Sequence, residues 1–546
     1  MLQIESVILI IAAWLVAAAN GSWWSAAFMG RSWSQPDNWL FVAGCFVLLL
    51  GLHFALLATL AHRWILRPVL TAVVVASAAA AYFMKTFSVL MDPTMVQNIL
   101  NTDARETRDL LSWSLIGNVA LWSALPVAFI WLVRIERRPL LRATLVRIGS
   151  IFAALVVALL AALLISRDLT SLLRNQREMR YLITPGNLIY GLVANVASGA
   201  RNVDVPREPV GADARLLRVA ITEEQRPRVF VLVVGETARA ANFSLLGYPR
   251  ETNPELAKLN IVAFGNVTSC GTSTEVSVPC MFSPFGRADY DERRIRNSET
   301  LLDVLKRAGY AVKWLDNQSG CKGVCKGAGI EYEKLDPASV PDLCQGGECL
   351  DGALARRLES ELGGVNKDTV FVLHMMGNHG PAYYRRYPAG FQRFEPSCAT
   401  ALLRDCTREQ VVNTYDNAIL YTDHVLARII RSLEVHAVRL DTAMLYVSDH
   451  GESLGEKGLY LHGMPYAIAP STQTHVPMIA WLSAGFARDG GVDVHCVRQK
   501  KDNQFSHDHL FHSVLGLLDV QTSVYQTDRD IFGECRSARG RSYARS

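Results

Sequence analysis

The chain has 546 residues, of which 50% are hydrophobic and only 19% are charged. This length exceeds what one hydrophobic core usually supports, so two or more folding units are expected. The 55 basic and 51 acidic side chains leave a formal net charge of +4, which excludes the strongly basic surface of a nucleic-acid-binding protein.

The apolar residues are concentrated before about residue 166, in five stretches of the length that crosses a membrane. They run from Ser6 to Met29, Trp39 to Ala61, Val69 to Met84, Leu115 to Val133 and Ile148 to Ile165. One such stretch alone could be a buried core helix, but five in succession predict a transmembrane domain at residues 1–166. A cleaved signal peptide is the alternative for the first stretch, because Ala17 and Ala19 form an Ala-x-Ala pattern, although no Lys or Arg precedes it.

Positive charge sets the orientation of these spans, because short loops rich in Lys and Arg stay on the cytoplasmic side. Arg63 and Arg67 follow the second stretch. A larger basic cluster follows the fourth stretch and comprises Arg134, Arg137, Arg138, Arg142 and Arg147. With both loops inside and five spans, the chain after Ser166 is expected outside the cytoplasm.

A polar loop at residues 85–114 is expected on the outer side of the membrane. It contains Asn98, Thr102 and Glu106, whose spacing of four would place the side chains on one face of a helix. Such a pattern usually marks a solvated helix face. Contact with a lipid headgroup is the alternative, since this helix would lie at the membrane surface beside a catalytic domain.

The rest of the chain predicts a soluble domain. Residues 167–228 are expected to form a bridging segment and a charged linker. Over residues 229–546, strand-like runs such as Val229 to Val234 and Met444 to Val447 alternate with helical ones such as Gln410 to Val435. This alternation is typical of an α/β fold with a largely parallel sheet, in which sites collect at the carboxyl ends of strands.

The cysteines indicate the compartment. One of the eleven, Cys45, lies in the apolar third, and ten lie between Cys270 and Cys535. Zinc clusters in a reducing compartment or disulfides in an oxidising one could explain the ten. Disulfides are favoured because the C-x-x-C pairs of a zinc ribbon are absent, and the soluble domain is then periplasmic or extracellular.

Carboxylate and imidazole side chains follow three of the predicted strands. Glu236 follows the first, His374 and His379 follow the second, and Asp449 and His450 follow the third. Oxygen and nitrogen ligands that converge at one sheet edge are what a zinc ion needs. A single acidic residue at a strand end is more often a helix N-cap or a surface carboxylate, but the Asp-His pair beside a glycine favours a metal site.

The segment from Thr268 to Cys280 supports two interpretations. Thr272 and Glu275 match a capping box at the start of a helix. A hydroxyl at a helix N-terminus beside a metal would also ionise more easily and face a natural phosphate pocket. The capping box and the activated hydroxyl are compatible interpretations, and neither of them identifies which residue is the nucleophile.

Longer motifs carry a family resemblance. They are Gly-Glu-Thr-Ala-Arg at 235–239, Thr-Ser-Cys-Gly-Thr-Ser-Thr at 268–274, Gly-Asn-His-Gly-Pro at 377–381, Ser-Asp-His-Gly-Glu-Ser-Leu-Gly-Glu at 448–456 and Leu-His-Gly-Met-Pro at 461–465. With these motifs the chain resembles the lipid A phosphoethanolamine transferases, the group that includes the mobile colistin resistance enzymes. The resemblance implies five transmembrane helices in the bacterial inner membrane, followed by a periplasmic α/β domain of the alkaline phosphatase and sulfatase superfamily.

The resemblance also implies roles for individual residues. Thr274 would be the nucleophile, and it would hold Zn²⁺ together with Glu236, Asp449 and His450. A second zinc ion is compatible with the family. The family's contacts to the donor headgroup are matched by Asn98, Thr102 and Glu106.

Further matches surround the expected reaction centre. His379 and His462 match the histidines that grip the phosphoryl group, and Lys322 matches a basic residue beside it. His374 and His475 are weaker matches, for which an ordinary hydrogen-bonded imidazole competes. As in the five-bridge members of the family, disulfides would join Cys270 to Cys280, Cys321 to Cys325, Cys344 to Cys349, Cys398 to Cys406 and Cys496 to Cys535.

The implied function is transfer of phosphoethanolamine from phosphatidylethanolamine to a phosphate of lipid A by a monomeric enzyme, through a phosphoethanolamine-threonine intermediate. The transfer would lower the negative charge of the cell surface and give resistance to polymyxin and colistin. Rivals are phosphoethanolamine or phosphoglycerol transfer to another envelope glycan such as the inner-core sugars, hydrolysis, and a non-catalytic sensor that binds phospholipid. A sulfatase is disfavoured, because Met281 stands where the Cys/Ser-x-Pro-x-Arg pattern requires arginine.

Overall fold

A computed structural model describes residues 1–28, 34–60, 62–102, 107–108, 110–136, 138–200, 206–217, 226–327, 329–345 and 347–537. The chain divides into two compact units. One comprises Met1–Leu100 and Leu111–Ala197, and the other comprises Asn101–Leu110 and Ser198–Ser546. The expected domain borders at residues 166 and 228 stay predictions.

The N-terminal part of the chain is helical. Its helices are α1 (Ile4–Trp14), α2 (Gly21–Phe28), α3 (Pro36–Leu60), α4 (Leu66–Phe87), α5 (Pro93–Asn101), α6 (Trp113–Leu132), α7 (Leu140–Leu164), α8 (Ser166–Asn175) and α9 (Gly186–Ala200). By length and composition, α3, α4, α6 and α7 can each cross a membrane. They correspond to four of the predicted spans and confirm the membrane domain.

The first predicted span is not one straight helix. α1, with the turn that continues it, is bent by 59° from α2, so it is a fifth span only if the bent pair crosses as one. Asn20 is buried at the bend, where its side-chain amide donates to the carbonyls of Leu15 and Thr184, both at 2.9 Å. Asn20 therefore bonds to one carbonyl in the turn before the bend and to another just before α9, and these bonds fix the bend in the apolar run. The predicted ends Met29 and Ala61 lie outside the described residues.

The second unit is built on a central sheet. The strands among the described residues are β1 (Arg215–Leu216), β2 (Arg228–Gly235), β3 (Val262–Thr268), β4 (Ala311–Asp316), β5 (Glu331–Lys334), β6 (Cys344–Gln345), β7 (Glu348–Cys349), β8 (Thr369–His374), β9 (Asp441–Ser448), β10 (Ser453–Leu454), β11 (Tyr460–Leu461), β12 (His475–Leu482), β13 (Phe505–Ser506) and β14 (Val520–Gln521). Eight strands form one sheet in the order β13-β3-β12-β9-β2-β8-β4-β5. β12 runs antiparallel to β3 and β9, and the other neighbouring pairs are parallel. The largely parallel sheet is therefore confirmed, with one reversed strand.

Helices cover both faces of this sheet. They are α10 (Thr274–Met281), α11 (Glu292–Asn297), α12 (Leu301–Arg307), α13 (Gly352–Leu362), α14 (Arg408–His436), α15 (Ser471–Thr474), α16 (Ala484–Asp489), α17 (Val494–Gln499) and α18 (Leu510–Leu517). In β2, Phe230 and Leu232 pack in one core with α10, α12 and α18, whereas Val231 and Val233 pack in the other with α13 and α14. Burial on both faces explains why this strand is an unbroken apolar run, and it leaves the sheet's carboxyl edge as the place for polar chemistry.

Candidate metal and nucleophile site

Four polar residues meet at the carboxyl edge of the sheet. The ends of β2 and β9 lie side by side, because Gly235 is paired with Ser448 in parallel register. Glu236 follows β2, the Asp449-His450 pair follows β9, and Thr274 enters as the first residue of α10. The strand order thus brings together residues that are far apart in the sequence.

These side chains form one buried cluster. The Thr274 hydroxyl donates to Glu236 Oε2 at 3.0 Å and lies 3.4 Å from His450 Nε2. His450 Nε2 is also 3.4 Å from Glu236 Oε1 and from Asp449 Oδ2. One ligand atom from each of Glu236, Asp449 and His450 lies within 4.8 Å of the others. A single ion between them could contact all three side chains and the hydroxyl oxygen.

The electrostatics of the cluster fit a metal ion. Asp449 Oδ1 accepts hydrogen bonds from the N–H groups of Thr237 and His450, whereas Oδ2 is buried and accepts none from the described residues. Burial and then the Glu236 carboxylate raise the pKa of Asp449 to about 7. Burial also acts to raise the pKa of Glu236, but His450, His379, His462 and the hydrogen bond from Thr237 together outweigh it and lower that pKa. Two carboxylates in a dry site need a balancing cation, and this oxygen and nitrogen donor set suits zinc.

Several side chains that orient Glu236 were not predicted from the sequence. Gln318 Nε2 donates to Glu236 Oε2 at 2.8 Å, and the Thr237 hydroxyl donates to Oε1 at 2.5 Å. Tyr415 on α14 donates to the carbonyl of Thr237 at 2.7 Å. The available signal was the position of Gln318, which follows β4 and therefore reaches the same sheet edge.

The helix that carries Thr274 begins differently from the prediction. α10 starts at Thr274, one residue later than a capping box of Thr272 and Glu275 requires, so that prediction is wrong. The Thr272 hydroxyl instead donates to the carbonyl of Met464 at 2.6 Å, and Glu275 pairs with Arg296 at 2.8 Å. A charged partner satisfies the glutamate better than a helix N–H can. The expected hydroxyl at a helix N-terminus is confirmed.

Two further contacts hold the nucleophile segment. The Cys270–Cys280 disulfide joins the residues that flank Thr274, one before α10 and one near its end. His507 Nδ1 accepts a hydrogen bond from the Cys270 N–H at 3.1 Å, and His507 Nε2 lies 3.0 Å from the carbonyl of Ser448. Burial lowers the pKa of His507 to about 4, so the ring is neutral and donates through Nε2. His507 thereby ties the nucleophile segment to the end of β9.

His379 and His462 lie beside the ligand cluster. The ring centroid of His462 is 4.3 Å from that of His450 and 5.5 Å from that of His379. His462 Nδ1 is 3.3 Å from Glu452 Oε1. Burial and then His450 lower the pKa of His462 to about 3. The ring is therefore neutral at physiological pH.

Lys322 lies close to the nucleophile segment. It belongs to the loop after β4, and its Nζ donates to Ser319 Oγ at 2.6 Å. The same ammonium is 3.9 Å from Glu275 Oε2, on the residue next to Thr274. Its proposed contact with a phosphoryl group stays a prediction.

His374 and His475 have ordinary hydrogen-bond partners. His374 Nδ1 is 2.9 Å from Asp316 Oδ1, and both side chains are buried. His475 Nε2 is 2.8 Å from the carbonyl of Gly265. These contacts favour the ordinary imidazole interpretation, and neither histidine belongs to the metal-type cluster found among the described residues.

The expected donor-binding helix is shorter than predicted. Asn98 lies in α5, which ends at Asn101, so Thr102 follows the helix and does not share a continuous helical face with Asn98. Glu106 lies outside the described residues. Contact of these three residues with a lipid headgroup stays a prediction.

The disulfide interpretation of the cysteines is confirmed. Bonds join Cys270 to Cys280, Cys321 to Cys325, Cys344 to Cys349, Cys398 to Cys406 and Cys496 to Cys535. Cys45 is buried in α3 and does not form a disulfide with the described cysteines.

Two family models match the chain. The model described as phosphoethanolamine transferase EptA/EptB matches residues 49–199. The model described as sulfatase matches residues 228–520. Together they cover parts of both compact units.

Relatives match over most of their length. Phosphoethanolamine transferase EptA of Escherichia coli (strain K12) is 41% identical over 477 residues, which are 87% of this chain and 86% of the relative. Phosphatidylethanolamine transferase Mcr-1 of Escherichia coli is 35% identical over 529 residues, 96% of each chain. Among solved structures, the integral membrane protein lipooligosaccharide phosphoethanolamine transferase A (EptA) from Neisseria meningitidis matches with a TM-score of 0.91 and 37% identity, covering 97% of this chain and 98% of that one.

Proposed function

Because the chain belongs to the phosphoethanolamine transferase family, we propose that it moves phosphoethanolamine from phosphatidylethanolamine to a phosphate of lipid A through an ester on Thr274. The chain is a multi-pass protein of the inner membrane with a periplasmic catalytic domain. The observation that carries the proposal is the position of the Thr274 hydroxyl, 3.0 Å from Glu236 Oε2 and 3.4 Å from His450 Nε2. For the acceptor, support comes from the full-length relative named as a lipooligosaccharide phosphoethanolamine transferase.

Glu236, Thr274, Asp449 and His450 would hold one zinc ion. When bound, zinc would lower the pKa of the threonine hydroxyl and neutralise charge on the phosphoryl oxygens. The Glu236 and Asp449 carboxylates are buried away from water, and the Gln318 amide holds Glu236 in place by a hydrogen bond. The positive end of α10 adds to the preference for an anion at Thr274.

In the first half-reaction Thr274 Oγ1 forms a bond to the phosphorus of phosphatidylethanolamine, and the bond from phosphorus to the diacylglycerol oxygen breaks. The threonine proton must leave and the diacylglycerol oxygen must gain one. His462 and His379 are the candidates for this exchange, because the His462 ring lies 4.3 Å from that of His450 and the His379 ring lies 5.5 Å from that of His462. Lys322 supplies positive charge beside the nucleophile segment.

In the second half-reaction an oxygen of a lipid A phosphate attacks the phosphorus of the Thr274 ester. The bond from phosphorus to Thr274 Oγ1 breaks, and the hydroxyl regains a proton. The product carries an added ammonium group, so the outer surface loses net negative charge and cationic peptides such as colistin bind it less well. Resistance to polymyxins follows from this loss of attraction.

Two threonines in the same segment allow a matched test of the proposal. Thr274→Ala removes the hydroxyl that would carry the ester, whereas Thr272→Ala removes one that, among the described residues, donates to the carbonyl of Met464. Mass spectrometry of lipid A from cells that express each full-length variant should show modification with wild type and Thr272→Ala and none with Thr274→Ala. Intact-mass analysis with donor lipid should place phosphoethanolamine on Thr274. Full transfer by Thr274→Ala would contradict the covalent route.

A further inference from the structure

A basic cavity lies among the helices of the membrane unit, remote from the catalytic residues in sequence. Its volume is about 810 Å³, within the range of about 300–1,000 Å³ that small-molecule sites occupy. Five basic side chains line it, together with the two carboxylates Glu5 and Glu136. The basic side chains are His62, Arg63, Arg67, Arg138 and Arg147. Four arginines against two carboxylates leave an excess of positive charge.

The cavity lies at the cytoplasmic end of the bundle. In the part of the chain that the structure describes, α7 is the last helix long enough to span a membrane. The chain continues from its end toward the periplasmic domain, so the start of α7 is cytoplasmic. Hydrogen bonds of 2.9 Å join Leu2 N–H to the Arg134 carbonyl and Glu136 N–H to the Leu2 carbonyl, which places the first residues at this same end.

Two of the arginines are available to an anion. Arg138 is paired with Glu5 at 3.3 Å, but neither Arg67 nor Arg147 pairs with a carboxylate among the described residues. Arg67 donates to the carbonyl of Val133 at 3.1 Å, and its Nε is buried without a hydrogen-bond partner among those residues. Arg147 contacts His62 Nδ1 at 3.0 Å. A buried guanidinium N–H without an acceptor indicates that a ligand oxygen belongs there.

The other walls of the cavity suit a lipid. Apolar side chains such as Ile148 and Ile151 line it. Trp64 and Trp131 line it as well, and tryptophan is enriched where a membrane meets water. The Arg67 guanidinium lies 5.7 Å from the ring centroid of Trp131. A charged pocket with an apolar wall at this depth fits a phosphate joined to acyl chains better than a free ion.

We propose that this cavity binds the headgroup of an anionic phospholipid from the cytoplasmic leaflet, with its phosphate on Arg67 and Arg147. A zwitterionic lipid is disfavoured, because its ammonium would meet the excess positive charge. The site is separate from the transfer reaction and does not rest on the proposed function.

Native mass spectrometry of the full chain in detergent tests the proposal, with phosphatidylglycerol, phosphatidylcholine and inorganic phosphate as probes. The wild-type chain should retain phosphatidylglycerol in preference to the other two. Since each arginine near an anionic lipid contributes about a fivefold change in affinity, Arg67→Gln with Arg147→Gln should weaken phosphatidylglycerol binding about thirtyfold. Arg142→Gln is the matched control, because Arg142 is exposed on α7 and does not line the cavity.

Three outcomes would overturn the proposal. The first is equal retention of phosphatidylglycerol and phosphatidylcholine by the wild-type chain, which needs no variant and so does not depend on whether one folds. The second is equal weakening by the double variant and by Arg142→Gln. The third is binding of inorganic phosphate as tight as that of the lipid, which would assign the cavity to a free ion.

Discussion

Acid should loosen the catalytic domain through one buried imidazole, His507. Its neutral ring accepts from the Cys270 N–H and donates to the Ser448 carbonyl, and protonation of Nδ1 would turn that acceptor into a donor facing an N–H. Burial lowers the pKa of His507 to about 4 from its ordinary value of 6.5. Between pH 6.5 and pH 4 the imidazole is protonated in the unfolded chain but not in the folded one. The free energy of unfolding therefore falls as the pH drops through this range. At about 1.36 kcal/mol per unit, this single group accounts for about 3 kcal/mol.

The comparison that isolates this effect is His507→Gln against wild type. The variant loses stability at pH 7 because both hydrogen bonds are disturbed, but it has no imidazole to protonate. Urea unfolding of the catalytic domain, followed by tryptophan fluorescence at several pH values, should therefore show the wild-type advantage shrinking by about 3 kcal/mol between pH 7 and pH 4. His495→Gln, which removes an exposed histidine, is the control. A wild-type advantage that stays constant over this range would refute the assignment of His507 as the buried neutral link.

Other changes probe the metal, the donor loop and the bridge over the nucleophile segment. Asp449→Asn removes a charge from the ligand cluster and should weaken zinc binding at least about tenfold, measured by competition with a chelator; unchanged affinity would remove Asp449 from the ligand set. Asn98→Ala should impair transfer from membrane phosphatidylethanolamine while sparing a small soluble phosphodiester, and equal losses on both substrates would indicate a structural role. Replacing both Cys270 and Cys280 by Ser opens a loop of sequence separation 10 and should cost about 3 kcal/mol of unfolding free energy in urea. An unchanged midpoint and slope would show that the bridge does not restrict the unfolded chain.

Local patterns predicted the parts of the site that lie next to strands. β2 and β9 are apolar runs buried on both faces, and each passes directly into ligand-type residues, Glu236 in one case and Asp449 with His450 in the other. Because parallel neighbours end at one edge, strand recognition was sufficient to bring them together. A helix start in the nucleophile segment came from the same kind of local signal, one residue too early, whereas Thr274 itself was assigned by the family resemblance.

Contacts between distant segments could not be predicted in this way. His507 bonds to Cys270 across 237 positions, and the Asn20 amide at the bend before α2 bonds to a carbonyl 164 positions away. The capping-box prediction failed for the same reason, since Arg296 reaches Glu275 from another helix. A single sequence shows the polar side chain in each case, but only the folded chain shows its partner.

The disulfides have a consequence for how the protein matures. In the periplasmic domain every bridge joins a cysteine to the next cysteine in the sequence, with separations of 10, 4, 5, 8 and 39 residues. Cys45 is buried in a membrane helix and does not compete. If the chain is exported from its N-terminal side, the two cysteines of each bridge reach the periplasm one after the other, before the cysteines of the next bridge. A domain whose bridges follow the order of the chain can form them as each segment enters the oxidising periplasm.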